Sequence, residues 1–116
     1  MNERHYLGLD VGSSSLKAML VRSSGEPVGV GYETAYPHPG YVEQNADDWY
    51  TAACLAVGNV VRVAGIAPAQ VAGIGLSGTS HVPSLLDEHL RLIRPAILWN
   101  DVRSEAQVKR LAHDAG

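Results

Sequence analysis

The chain has 116 residues and a mass of 12.4 kDa, room for one domain with its own core and too little for two. Lys and Arg total 9 against 12 Asp and Glu, a formal charge of −3 with a pI near 5.9, which excludes the dense basic face of a nucleic-acid module. Hydrophobic residues at 46% and charged residues at 18% match ordinary globular usage and exclude disorder, collagen-like repeats and coiled coil.

In chain order, Tyr6 to Val11 is a short apolar run that ends by delivering Asp10 at a strand tip. Ser13, Ser14 and Ser15 predict a tight turn, Leu16 to Arg22 a second strand, and Ser23, Ser24 and Gly25 a second turn. Val28, Val30 and Tyr32 alternate as a third strand, so the three form an antiparallel meander. Pro37 and Pro39 then predict an irregular loop. Asn45 is a helix cap with Asp47 and Asp48 behind it, and Trp49, Ala53, Ala56, Val57, Val60 and Ala64 recur at helical spacing until Gly65 and Pro68 stop them. That helix has about five turns. Val71 to Leu76 is a further buried strand, laid parallel to the first by a right-handed crossover. Two short strands around Glu88 and His89 follow, then an apolar run ending at Trp99, Asn100 and Asp101. A closing helix from Ser104 to Ala115 carries Val108 and Leu111 on one face.

The predicted architecture is βββαβ with additions, an α/β layered domain over residues 1–116. Ligands in open α/β sheets gather at the carboxyl ends of parallel strands. Three such ends carry polar residues, at Asp10–Ser15, at Ser77–His81 and at Trp99–Asp101, and one cleft between them is expected.

The densest motif is Asp10-Val11-Gly12-Ser13-Ser14-Ser15-Leu16-Lys17. Gly12 permits close backbone approach, the serines supply short donors and Lys17 supplies positive charge, together an anion cradle suited to phosphate. Asp10 belongs in such a cradle only with a bridging cation, for which Mg²⁺ is the candidate. An ordinary serine-rich hairpin turn accounts for the composition equally well, and Asp10 at the strand tip favours the cradle. Gly73, Gly75 and Gly78 match the spacing GxGxxG, yet Thr79 to Pro83 cannot open the helix of a dinucleotide site, so the match is accidental.

Trp49 on the helix stripe is expected in the core, and Cys54 among alanines is expected to be a buried small side chain. His5, His38, His89 and His113 have no partner spacing. One cysteine cannot form an internal disulfide, no apolar stretch here reaches the length of a membrane span and none behind the N-terminal charges predicts a secretion signal; the cytoplasm is the expected compartment.

Four blocks carry a resemblance: DVGSSSLK, PGYVEQNADDWY, IGLSGTSHVPSLLD and RPAILWNDVRSE. In order and spacing they are similar to the N-terminal domain of the FGGY carbohydrate kinases, and within that family to its xylulokinase branch. The resemblance implies a ribonuclease-H-like, actin-like ATPase fold with a mixed sheet and flanking helices. It also implies phosphorylation of a sugar, D-xylulose or another ketopentose or polyol, by ATP with Mg²⁺. Carried over, Asp10 is the metal-phosphate aspartate, and Gly12, Ser13, Ser14 and Lys17 are the phosphate loop, with Asp10 and Lys17 catalytic. Thr79, Ser80, His81, Trp99, Asn100, Asp101 and Arg103 are the sugar-binding set. Gly78-Thr79-Ser80-His81-Val82 departs from the branch's Gly-Gln-Met-His-Gly, which leaves the exact sugar open. The catalytic base and the adenosine site are expected beyond this chain, in a C-terminal domain, and a homodimer is allowed for the full-length protein. No nucleic-acid or membrane partner is expected. Two alternatives remain: a sugar-binding or interaction module without catalysis, and an actin-like ATPase with no sugar pocket.

Overall fold

Alternation along the first two strands decides which face of the sheet is covered. A computed structural model describes residues 3–21 and 25–116. Strand β1 (His5–Val11) buries Leu7 and Leu9 and turns Tyr6 and Asp10 to the opposite, exposed face. Strand β2 (Ser15–Leu20) does the same with Leu16 and Ala18 inward and Lys17 and Met19 outward. Strand β3 (Val28–Gly31) completes the meander, antiparallel to β2, and Tyr32 lies just beyond its end. The expected turn at Ser23 and Ser24 lies outside the described residues.

Helix α1 (Ala46–Ala64) packs across β2 and β3. The Asn45 side chain accepts from the Asp47 N–H, and Gly65 closes the helix in the left-handed region at φ 66°, as its sequence predicts. The buried stripe is Ala52, Ala56 and Val60, with Ala53, Val57 and Val61 beside it. Together with Leu7, Leu9, Leu16 and Ala18 it forms the core. Each buried leucine contributes about 1.5–3 kcal/mol relative to exposure. Three expectations for this helix are corrected. Ala64 is exposed, Trp49 is half-buried and outside the core cluster, and Cys54 is exposed. Position 54 lies about 200° around the helix from both Ala52 and Ala56, so it faces away from the sheet.

After a 3-10 turn (Pro68–Gln70), strand β5 (Val71–Gly78) runs parallel to β1, giving the sheet order β3-β2-β1-β5. That is the βββαβ order expected. The strand continues two residues past the predicted end because the ladder persists through Asp10↔Ser77 and Val11↔Gly78. Gly73 and Gly75 therefore sit inside a strand, and a Cβ on Gly73 would stand 3.3 Å from the Tyr6 ring.

Beyond β5 the sequence expectations fail in two places. The strands around Glu88 and His89 reduce to one bridge, Leu86↔Leu92, closed by the Asp87 carboxylate accepting from the His89 and Arg91 N–H groups. The run ending at Trp99 is not a strand of the main sheet. Its Ala96–Ile97 segment (β6) pairs antiparallel with Glu43–Gln44 (β4), a strand inside the predicted proline loop. Gly40 lets the two turns meet: it sits at φ 80°, its carbonyl accepts from the Val102 N–H, and a Cβ there would lie 2.6 Å from Val102 Cγ2. Helix α2 (Glu105–Asp114) leaves Val108 59% and Leu111 66% exposed, so its apolar face is unburied in this chain.

Candidate functional site

The carboxyl ends of β1 and β5 are neighbours because the strands are parallel, and the polar segments that follow them meet. Thr79 donates to the Val11 carbonyl through its N–H at 2.9 Å and its hydroxyl at 3.3 Å, tying one strand end to the other. A small cleft of about 80 Å³ between them is walled by Gly12, Ser13, Gln44, Trp49, Gly78 and Thr79, among others. Beside it lies an open hollow of about 330 Å³ lined by Gly78, Thr79, Ser80, His81 and Trp99. The two share Gly78 and Thr79. The larger hollow is within the usual range for small-molecule sites, about 300–1,000 Å³.

His81 is held at φ 61°, a left-handed conformation uncommon for any residue but glycine. Its side chain is exposed, and so is Trp99 at 61%. Asp10 and Lys17 face each other across the β1–β2 ladder, both exposed, on the sheet face that α1 does not cover. That face also carries a hollow of about 610 Å³. Its walls are largely the apolar groups Tyr6, Met19, Val21 and Leu76, and only Asp10, Lys17 and Ser77 give it a polar edge. Hydroxyl-rich ligands need more donors and acceptors than this, so the hollows at the strand ends are the candidate site.

Asp101 and Arg103, expected against a sugar, are engaged elsewhere. The Asp101 side chain is 2% exposed. Its carboxylate accepts from the Val42 N–H at 2.6 Å and from Arg103 Nε at 2.8 Å and Nη2 at 2.6 Å. Arg103 also pairs with Glu43 at 2.9 Å and lies 4.0 Å from the Tyr41 ring centroid, while Arg94 reaches the same Glu43 oxygen at 2.7 Å. The Arg103 guanidinium, with the Val42 and Arg103 N–H groups, holds the Asp101 carboxyl well below the usual carboxylate range against the opposing effect of burial. Asp101 and Glu43 in turn raise Arg103 above its ordinary value. This network clasps the β6 turn onto β4, which fixes Gln44 on one side and Trp99 on the other. Asn100 is exposed in the same turn, and none of Asn100, Asp101 and Arg103 lines the hollow.

Three residues were not singled out as functional from sequence: Gln44 and Trp49, which line the cleft, and Tyr32, which is bonded to its Gly12 wall. The Tyr32 hydroxyl donates to the Gly12 carbonyl, and Gln44 Nε2 donates to the Ser13 carbonyl at 2.7 Å. Burial, with the Asp10 charge adding, pushes the Tyr32 phenol above its ordinary value. Gln44 and Ser13 lie 31 residues apart, and no local pattern links them.

A sequence profile of the N-terminal domain of the FGGY family of carbohydrate kinases matches residues 5–116. The chain is 36% identical over 111 residues to the xylulose kinase of Klebsiella pneumoniae, covering 91% of this chain and 22% of that protein. It is 30% identical over 118 residues to a glycerol kinase of Listeria monocytogenes, covering 98% of this chain and 24% of that protein. A solved structure of a "xyloylose kinase" from Brucella ovis superposes with a TM-score of 0.81 at 37% identity, over 97% of this chain and 24% of that one. The chain thus spans about a quarter of the length of the relatives it matches. Its mixed sheet with flanking helices is the actin-like ATPase fold of these kinases, and the chain belongs to the FGGY family of carbohydrate kinases, whose N-terminal domain it matches from residue 5 to residue 116.

Proposed function

We propose that the polypeptide carrying this chain transfers the terminal phosphoryl group of ATP to a sugar hydroxyl, with D-xylulose as acceptor and D-xylulose 5-phosphate as product. The observation that carries this reading is the shared wall at Gly78 and Thr79, which sets the serine loop next to the hollow of His81 and Trp99. Ser13 and Ser14 offer hydroxyls and backbone N–H groups to phosphate oxygens, and Lys17 adds positive charge. Asp10 fits Mg²⁺, which keeps much of its water and takes one or two carboxylates together with substrate phosphates. An all-protein metal cage does not fit, since among the described residues no three His, Cys, Asp or Glu side chains cluster. Bound beside Asp10, Mg²⁺ would neutralise charge on the phosphates. On the sugar side, the Trp99 indole suits carbon-bound hydrogens, and Thr79, Ser80 and His81 supply hydrogen bonds. The transfer forms a bond from the sugar oxygen to phosphorus and breaks the bond to ADP. The hydroxyl proton passes to a general base.

A second reading, a kinase for a polyol, is favoured by the relative named glycerol kinase. A coupled assay of the full polypeptide with ATP, Mg²⁺ and a panel of D-xylulose, D-ribulose, xylitol and glycerol separates the two. The highest kcat/KM is expected for D-xylulose. A preference for glycerol or xylitol would support the polyol reading, and sugar binding without turnover would make the protein a binding module.

A further inference from the structure

We propose that Tyr32 and Gln44 are positioning residues that aim the phosphate-binding amides of the serine loop, an inference that rests on the kinase reading. The argument starts from the peptide unit. In a trans peptide the N–H points opposite to the C=O of the preceding residue, so a bond that fixes one fixes the other. The Tyr32 hydroxyl holds the Gly12 carbonyl and thereby directs the Ser13 N–H the other way. Gln44 Nε2 holds the Ser13 carbonyl at 2.7 Å and thereby directs the Ser14 N–H.

The neighbouring carbonyls are engaged as well. The Ser14 carbonyl accepts from the Tyr32 N–H at 3.3 Å, and the Ser15 carbonyl from the Gly12 N–H at 3.0 Å. Every carbonyl from Gly12 to Ser15 is thus committed to the protein, and none is left to repel an anion. The Ser13 and Ser14 N–H groups, by contrast, have no partner among the described residues. A phosphate needs this asymmetry.

Trp49 makes the Gln44 orientation unambiguous. An indole N–H can only donate, and Trp49 Nε1 donates to Gln44 Oε1 at 2.9 Å, so Nε2 must face the Ser13 carbonyl and Thr34 Oγ1, 2.8 Å away. Gln44 is 3% exposed with both ends of its amide satisfied. It is a buried polar group spent on holding a loop.

The test uses the full polypeptide labelled with ¹⁵N-serine and titrated with Mg²⁺ and a non-hydrolysable ATP analogue, beside steady-state kinetics. In the unaltered protein the Ser13 and Ser14 amide resonances should both shift. Tyr32→Phe should blunt the Ser13 response and keep that of Ser14, and Gln44→Met should do the reverse. Each variant should raise the KM for ATP about two- to tenfold, the effect of one hydrogen bond, with the sugar KM unchanged. A variant that is merely less stable loses kcat with its folded fraction and leaves both KM values alone. Should Gln44→Met not fold, Tyr32→Phe carries the test by itself. The proposal is overturned if the unaltered protein binds the analogue with both serine amides unmoved, or if Tyr32→Phe keeps its ATP KM. If the unaltered protein does not bind the analogue at all, the kinase reading falls and this inference falls with it.

Discussion

Asp10→Asn is expected to lower kcat of the full polypeptide about 10²- to 10³-fold, the loss of several kcal/mol of charge stabilisation, while the sugar KM stays nearly unchanged. Asn keeps the shape of the side chain at the β1 tip and removes the charge that, on the proposed reading, would hold a phosphate-bound cation. Asp10 lies on the exposed face beside Lys17, apart from His81 and Trp99, so sugar binding has no reason to follow. Calorimetry with D-xylulose, run beside steady-state rates, separates the two effects. Retained kcat would return the serine loop to an ordinary turn, and a lost sugar affinity would mean that Asp10 contacts the sugar.

The second large effect is expected at His81. His81→Ala should lower kcat/KM for the sugar about ten- to hundredfold, because a sugar hydroxyl buried in the complex loses its partner. The ATP KM should hold. Since the side chain is exposed, the substitution opens no cavity, and a fall in melting temperature would report backbone strain at this left-handed position rather than lost packing. His81→Asn, a residue that tolerates the left-handed backbone at φ 61°, controls for strain at this position. Equal kcat/KM in the unaltered protein and His81→Ala would remove His81 from the sugar site.

What could be read from sequence is what nearest neighbours decide. Leu7 and Leu9 alternating with Tyr6 and Asp10 define a one-sided strand, and Asn45 and Gly65 mark helix ends through their own side chains and backbones. Trp49 and Cys54 depart from expectation for different reasons: the stripe puts Trp49 in the core, whereas small size among alanines says nothing of the face Cys54 takes, which is the exposed one. By helix geometry Trp49 points within about 20° of the buried centre at Ala52, Ala56 and Val60, but it sits in the first turn of the helix, where its indole N–H is bonded to Gln44 and it lies outside the core cluster. The β4–β6 pairing was illegible for a different reason. Two-residue strands carry no period, and this pair depends on bonds such as that from Val42 to Asp101, 59 residues apart. The same bonds explain why Asp101 and Arg103, chemically suited to a sugar, do not line the hollow, whereas Trp99 in the same turn does.

The most direct measurement is a crystal structure of the full polypeptide with D-xylulose, Mg²⁺ and a non-hydrolysable ATP analogue. The account predicts phosphate oxygens on the Ser13 and Ser14 N–H groups, and the sugar between Trp99 and His81, across the wall formed by Gly78 and Thr79. It is contradicted if the phosphates bypass the serine loop, or if the sugar lies on the Tyr6, Met19 and Leu76 face with His81 and Trp99 untouched.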